Sequence, residues 1–252
     1  MILILFVVPF LLFSALGAVA QQGMQPEARQ LFQAANQARS AAGARPLQWD
    51  PALGLAARQH CLRMAAEGTI GHRYRGEADL TARAAQNGAH FSVIEENVAE
   101  GPTPAGIHDA WMHSSGHRGN LLNTEVDRVG IAVVAGRGNL YAVADYSRSV
   151  EALTAGQVEA TVANLLRPAG LTVRKDASSA RNYCASSDHL AASGKDAPSF
   201  VMRWQGADLG QLPEALLRRI GTGLYHQAVV GSCQPHGLEN SFTAYRVAVL
   251  LY

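Results

Sequence analysis

Between Arg128 and Ser147 the chain reads RVGIAVVAGRGNLYAVADYS, two apolar runs rich in β-branched residues on either side of Gly-Arg-Gly-Asn. Runs of that kind around a glycine-rich turn predict a β-hairpin. Helical patterns come before it. EARQLFQAANQARSA (27–41) has helical spacing with Pro26 able to occupy the first turn, and Gly43 and Pro46 end it. Asp50-Pro51 supplies an N-cap and a first-turn proline to a second helix, along which Leu53, Ala56, Ala57, Cys61 and Met64 recur until Gly68. A third, capped helix runs from Thr103-Pro104 to about Ser115, with a break expected at Ser115-Gly116. FSVIEENVA (91–99) is too short and mixed to assign. Helices followed by a hairpin favour an α+β fold in which helices pack on an antiparallel sheet.

A second unit begins near Glu151. Its pattern is helix (157–167), strand (171–175), a polar Ser-rich loop around Cys184, strand (200–204), helix (212–221), and strands near 225–232 and 242–252. The last run, FTAYRVAVLLY, belongs inside a sheet, because an exposed edge of that composition invites aggregation. Both units close on a hairpin-like pair, but no register supports an internal repeat.

The whole sequence has 252 residues, 48% hydrophobic and 16% charged, with 21 Lys+Arg against 20 Asp+Glu. That is enough apolar material for one or two domains. The basic residues are thinly spread, which excludes a nucleic-acid footprint. MILILFVVPFLLFSALGAVA (1–20) is apolar throughout and ends in the small-x-small form Ala18-Val19-Ala20, as a signal peptide cleaved before Gln21 would. No Lys or Arg follows Met1, and the run is long enough to remain as an uncleaved anchor, the one route to membrane contact. Either way the chain is expected to be exported, to a periplasm or the exterior. In an oxidising compartment the three cysteines form one disulfide at most. The simplest pairing joins Cys184 to Cys233, leaving Cys61 as a small buried hydrophobe; the sequence does not fix it.

Polar chemistry gathers in the first unit: His72 in GTIGHRY, Glu96 and Asn97 in IEENVAEG, and His117 in SSGHRGNLL. Two imidazoles and a carboxylate suit Zn²⁺ or another divalent metal, with a vacant position for water. They equally suit general acid–base work. Their spacing is no metal fingerprint, with neither HExxH nor CxxC. Asn97 and Asn120 can satisfy buried backbone groups, Arg118 can pair with Glu125 or Asp127, and His113 is expected in solvent. Ser114 and Ser115 lack a GxSxG elbow, which argues against a serine hydrolase. His189, His226 and His236 have no carboxylate at ligand spacing and read as loop or surface residues.

The ordered set AANQAR (with Asn36 and Arg39), PLQWDPALGLAARQHC, His72 after the second helix, EENVAEG, WMHSSGHRGNLLN and VGIAVV resembles the CAP superfamily in its bacterial form. This is the group of cysteine-rich secretory, antigen 5 and pathogenesis-related 1 proteins, also called the SCP domain. The resemblance covers about residues 28–148 and implies an α-β-α sandwich whose groove carries two histidines and two acidic residues. By motif His72, His117 and Glu96 match both histidines and the first glutamate. The second falls near Ser114, a serine common in bacterial members, and Glu95 replaces the usual Gly of the GEN motif without joining the ligand set. Residues 151–252 match no characterised domain and are expected to form a smaller α+β domain.

Family membership does not settle function; the favoured role is binding of an extracellular or envelope ligand, lipid or protein, in a groove able to hold a divalent metal through His72 and His117, with Glu96 as a third ligand or the group orienting one of them, and Asn97, Asn120 and Ser114 as loop support. Two alternatives stay open: a zinc-dependent hydrolase at the same residues, and a structural hydrogen-bonded cluster behind an interaction surface.

Overall fold

A computed structural model of the chain describes residues 24–186, 197–234 and 242–252. The N-terminal apolar segment, His189 and His236 lie outside the described residues.

Helix α1 (Pro26–Ala41) places Ala28, Leu31 and Ala35 on its buried stripe. The two-residue strand β1 (Gln48–Trp49) leads into α2 (Pro51–Glu67). The Asp50 carboxylate caps α2 at the backbone N–H groups of Ala52 and Leu53, and Gly68 closes it in the left-handed region. A short helix α3 (Leu80–Gln86), which the sequence did not announce, is capped by Asp79. Residues Phe91–Gly101 form β2, an eleven-residue strand paired along its length with β4. Its unassigned reading came from Glu95, Glu96 and Asn97, three consecutive polar residues that erase the two-residue alternation of a strand.

Thr103 caps α4 (Pro104–His113), and the chain turns at Ser114 into a further helix, α5 (Ser115–Leu122). The expected break is therefore present, one residue early, and a new helix starts from it. Strands β3 (Arg128–Gly136) and β4 (Asn139–Ser149) form the expected hairpin. Its two-residue turn needs positive φ at both positions, met by Arg137 (φ 49°) and Gly138 (φ 83°).

The first sheet runs β1-β3-β4-β2, with β1 parallel to β3 and the other pairs antiparallel. On one face α1, α4 and α5 bury Leu31, Ile107, Trp111 and Leu121 against Ile131, Ala144 and Tyr146. On the other, α2 packs Ala57, Cys61 and Met64 against Val98, Ala132, Tyr141 and Val143. This is the three-layer sandwich that the resemblance implied.

The second unit contains α6 (Ala155–Leu166), a 3₁₀ turn (Arg167–Ala169), β5 (Thr172–Val173), α7 (Ser178–Ala185), β6 (Phe200–Gly206), α8 (Glu214–Ile220), β7 (Gln227–Cys233) and β8 (Tyr245–Leu251). Cys184 sits on helix α7, where the Ser-rich sequence suggested a loop. Strand β8 is interior, bonded on both sides. The second sheet runs β5-β7-β8-β6, with β5 parallel to β7 and the rest antiparallel. Order and sense are those of the first sheet, strand for strand, although no sequence register revealed it. Gly130 of β3 lies against Leu53 and Gly54 of α2, and Gly231 of β7 lies in the same way against Ala180 and Arg181 of α7.

Candidate functional site

Three segments on the α2 side and end of the first sheet bring the polar residues together: the 68–79 loop, the middle of β2, and α5. The loop is fastened from beneath by His60, a fully buried residue of α2. Its Nδ1 lies 2.8 Å from the Glu77 carboxylate and its Nε2 2.7 Å from the Gly71 carbonyl. Arg83 of α3 donates to the carbonyls of His72 and Ala78, holding the same loop from the other side.

His72 rises from this loop with its side chain 62% exposed. Its Nδ1 is 2.8 Å from Glu96 Oε1, and Glu96 Oε2 accepts from Arg83 at 2.5 Å. The hydrogen bond to Glu96 holds the His72 imidazole above its ordinary value, against the opposing pull of partial burial. Glu96 is buried, 2% exposed at its side chain, and faces the sheet interior rather than solvent. It therefore orients His72, as a supporting carboxylate does for an imidazole whose other nitrogen is to act.

His117 belongs to α5, whose polar ties to β2 come from Asn97 and Asn120, both flagged by the sequence. Ser114 caps it, its Oγ accepting from the His117 N–H at 3.5 Å. Asn97, fully buried, donates to the His117 carbonyl at 2.9 Å and accepts from Asn120 at 3.0 Å, while Asn120 also donates to the Glu96 carbonyl. The helix is thus riveted to β2 at two carbonyls. Burial, and then the charge of nearby His72, lower the His117 imidazole below its ordinary value. The two imidazoles are shifted in opposite directions, His72 upward and His117 downward.

Neighbouring residues divide by side. Glu95, on the opposite face of β2, accepts from Asn123. His113 is exposed and bonds back to Asp109. Arg118 donates to the Met112 carbonyl rather than pairing with Glu125 or Asp127. Arg39, buried under α5, donates to the carbonyls of Arg45, Leu121, Asn123 and Val126 and fixes the loop that follows the helix. His60, Arg83 and Asp145 complete the framework under His72 and were not flagged by the sequence; a helical His, a helical Arg and a strand Asp carry no spacing that ties them to a site.

The metal expectation is tested by this donor set. Structural zinc sites close on four protein ligands and catalytic ones on three. Here Glu96 is committed to His72 and Arg83, which leaves two imidazoles. Among the described residues no group of three or more His, Cys, Asp or Glu side chains could hold a metal ion. The described residues thus offer two imidazoles, with Glu96 as the carboxylate that orients one of them.

In the second unit Cys184 and Cys233 form a disulfide; in the first, Cys61 on α2 is a free, buried thiol whose pKa burial pushes up to about 12. His226 is exposed.

Residues 32–146 match the sequence profile of the CAP, or cysteine-rich secretory protein, family. The chain is similar to the uncharacterized protein YkwD of Bacillus subtilis (strain 168), 30% identical over 110 residues, 42% of each chain, so it spans under half the length of that curated relative. Among solved structures it is similar to an outer surface protein from Borrelia burgdorferi (TM-score 0.47, 20% identity, 50% of this chain and 94% of that one). It is also similar to an extracellular SCP-domain protein from Bacillus anthracis (TM-score 0.46, 24% identity, 49% and 40%).

Proposed function

Residues 32–146 belong to the cysteine-rich secretory protein family, and from that premise we propose that the chain is an exported protein binding an extracellular or envelope ligand, lipid or protein, at the face presented by His72 and His117. One observation carries the reading: exposed His72 is held at Nδ1 by the buried Glu96–Arg83 pair, while Asn97 and Asn120 tie the helix that carries His117 to the same strand. When protonated, His72 offers a charge-assisted donor, and His117, when neutral, offers an acceptor and a second donor. Together they suit a ligand with an anionic or carbonyl oxygen beside a hydroxyl or amide. The buried framework of Glu96, Arg83, Asn97 and Asn120 holds both rings ready, which lowers the ordering cost of binding. Export rests on the apolar 1–20 segment. Among the described residues no helix is long and apolar enough to cross a membrane.

A purely structural corner is the second reading, favoured by the hydrogen bonds that tie Asn97 and Asn120 to each other and to the carbonyls of His117 and Glu96. NMR of the histidine side chains separates the two. The full chain is titrated with phospholipid vesicles, soluble peptidoglycan fragments and Zn²⁺. Under the binding reading one of the first two moves the His72 and His117 signals together, and folded His72→Ala and His117→Ala variants each lose binding at least tenfold. Should both variants fold less stably yet bind every probe as the parent does, the structural reading replaces it. Micromolar Zn²⁺ binding lost in both variants would reopen the hydrolase reading.

A further inference from the structure

Across the first sheet one row of residues points toward α2: Gly130 on β3, Asp145 opposite it on β4, and Glu96 opposite Asp145 on β2. Asp145 is fully buried, and neither of its carboxyl oxygens has a hydrogen-bond donor among the described residues. Glu96 lies within hydrogen-bond reach of it. Two ionised carboxylates are acceptors only and cannot bond to each other.

The charged and titratable groups around the pair are accounted for. Arg83 gives Nη2 to Glu96 and Nη1 to the carbonyls of His72 and Ala78, while its buried Nε has no partner among the described residues and does not bond Asp145. His60 of α2 is directed at Glu77 and the Gly71 carbonyl, with Glu96 at 3.9 Å. The Cys61 thiol donates to the Tyr141 carbonyl. One guanidinium thus faces two buried carboxyl groups and bonds only one of them. A buried, unpaired carboxylate costs several kcal/mol, and the group takes a proton instead. In agreement, burial first and the neighbouring Glu96 second push Asp145 well above the usual carboxylate range, with Arg83 opposing.

We propose that Asp145 is a positioning residue: it holds a proton at neutral pH, donates it through an O–H···O bond to the Glu96 carboxylate, and so fixes the carboxylate that orients His72. Glu96 then has three donors, Asp145 from the core, Arg83 from α3 and His72 from the groove, which lock its rotamer. A proton held in the core is coupled to an exposed imidazole through one carboxylate. The consequence for ligand binding rests on the reading given above; the shared proton does not.

The full chain and two variants test it. Asp145→Asn keeps a donor without a titrating proton, and Asp145→Ala removes the donor. Near neutral pH the parent should show the infrared C=O stretch of a neutral carboxylic acid, and Asp145→Asn should lack it. The stability sign follows from linkage: above the ordinary aspartate value of 3.8 the unfolded chain releases a proton that the fold retains, so stability falls as pH rises toward the raised value. Asp145→Asn lacks that slope, so its midpoint should gain on the parent between pH 3.8 and neutrality. The His72 NMR titration should be preserved in Asp145→Asn and shifted downward in Asp145→Ala. A parent without the neutral-acid band, or an Asn variant equally destabilised at both ends of that range, overturns the shared proton. An unmoved His72 titration in a folded Asp145→Ala overturns the positioning role. Since no readout needs a ligand, a negative ligand titration leaves these outcomes intact.

Discussion

At the scale of single residues the site turns on Glu96, whose two oxygens serve a buried cation and an exposed imidazole at once. Arg83 and Glu96 are 4% and 2% exposed at their side chains, so their ion pair is shielded from solvent in a way that surface pairs are not. Replacing Glu96 by Gln leaves the Arg83 guanidinium without its counter-charge and should cost about 3 kcal/mol in urea unfolding. The same variant takes away the group that raises His72. The parent's His72–Glu96 contribution is fully present below the ordinary imidazole value of 6.5 and is lost as pH rises through the raised folded value. In Glu96→Gln that loss should vanish and the His72 titration should move down toward or below 6.5. A His72 titration unchanged in the variant would show that some other group holds the ring.

Elements that carry their own punctuation were legible. Asp50-Pro51 and Thr103-Pro104 start helices where they stand because cap and first-turn proline act within one turn. Arg137-Gly138 sets the hairpin for an equally local reason. Strand β2 was not legible, since its polar residues serve two faces, Glu95 outward to Asn123 and Glu96 inward to Arg83. His72, Glu96 and His117 were found only through an ordered resemblance, and Asp145 escaped it because its pairing with Glu96 is a cross-strand relation 49 residues long, which no local pattern records. Tertiary contact likewise decides Gly130 and Gly231. A Cβ at Gly130 would lie 2.1 Å from the Gly54 nitrogen, and one at Gly231 2.2 Å from the Arg181 nitrogen. Those atoms are helix backbone, which cannot turn aside as a side chain can. Gly130→Ala and Gly231→Ala should each cost about 3 kcal/mol by overpacking. Because they press on different helices over different cores, their effects in the double variant should add within about 0.5 kcal/mol. A strongly sub-additive double variant would mean that the two helix–sheet contacts belong to one packing unit.

At the scale of the molecule the same strand order is built twice and furnished differently. The row Gly130–Asp145–Glu96 of the first sheet has its counterpart in Gly231–Ala248–Arg203 of the second. Where Glu96 holds His72, Arg203 donates instead to the carbonyls of Tyr183 and Ser186 at the end of α7. The carboxyl pair is absent from that row, and the counterpart cation ties a helix end to the sheet. The second unit also has the shorter strands and helices and adds a covalent tie, Cys184 at the end of α7 to Cys233 at the end of β7, 49 residues apart. A loop of that length stabilises by about 4 kcal/mol if the constraint acts through the unfolded chain. The cores of the two units are separate clusters, one around Leu31, Trp111 and Tyr146 and the other around Val162, Leu216 and Val249. They meet through narrower links such as the Thr243 N–H to the Phe91 carbonyl and the Phe91–Phe242 ring contact. Reduction should therefore speed amide hydrogen exchange in β7 and β8 up to about a thousandfold, the equivalent of that 4 kcal/mol. Exchange in β3 and β4, and the His72 and His117 signals, should stay as they were. Equal acceleration in both sheets would show instead that the two units open as one, and that the site depends on a disulfide far from it in sequence.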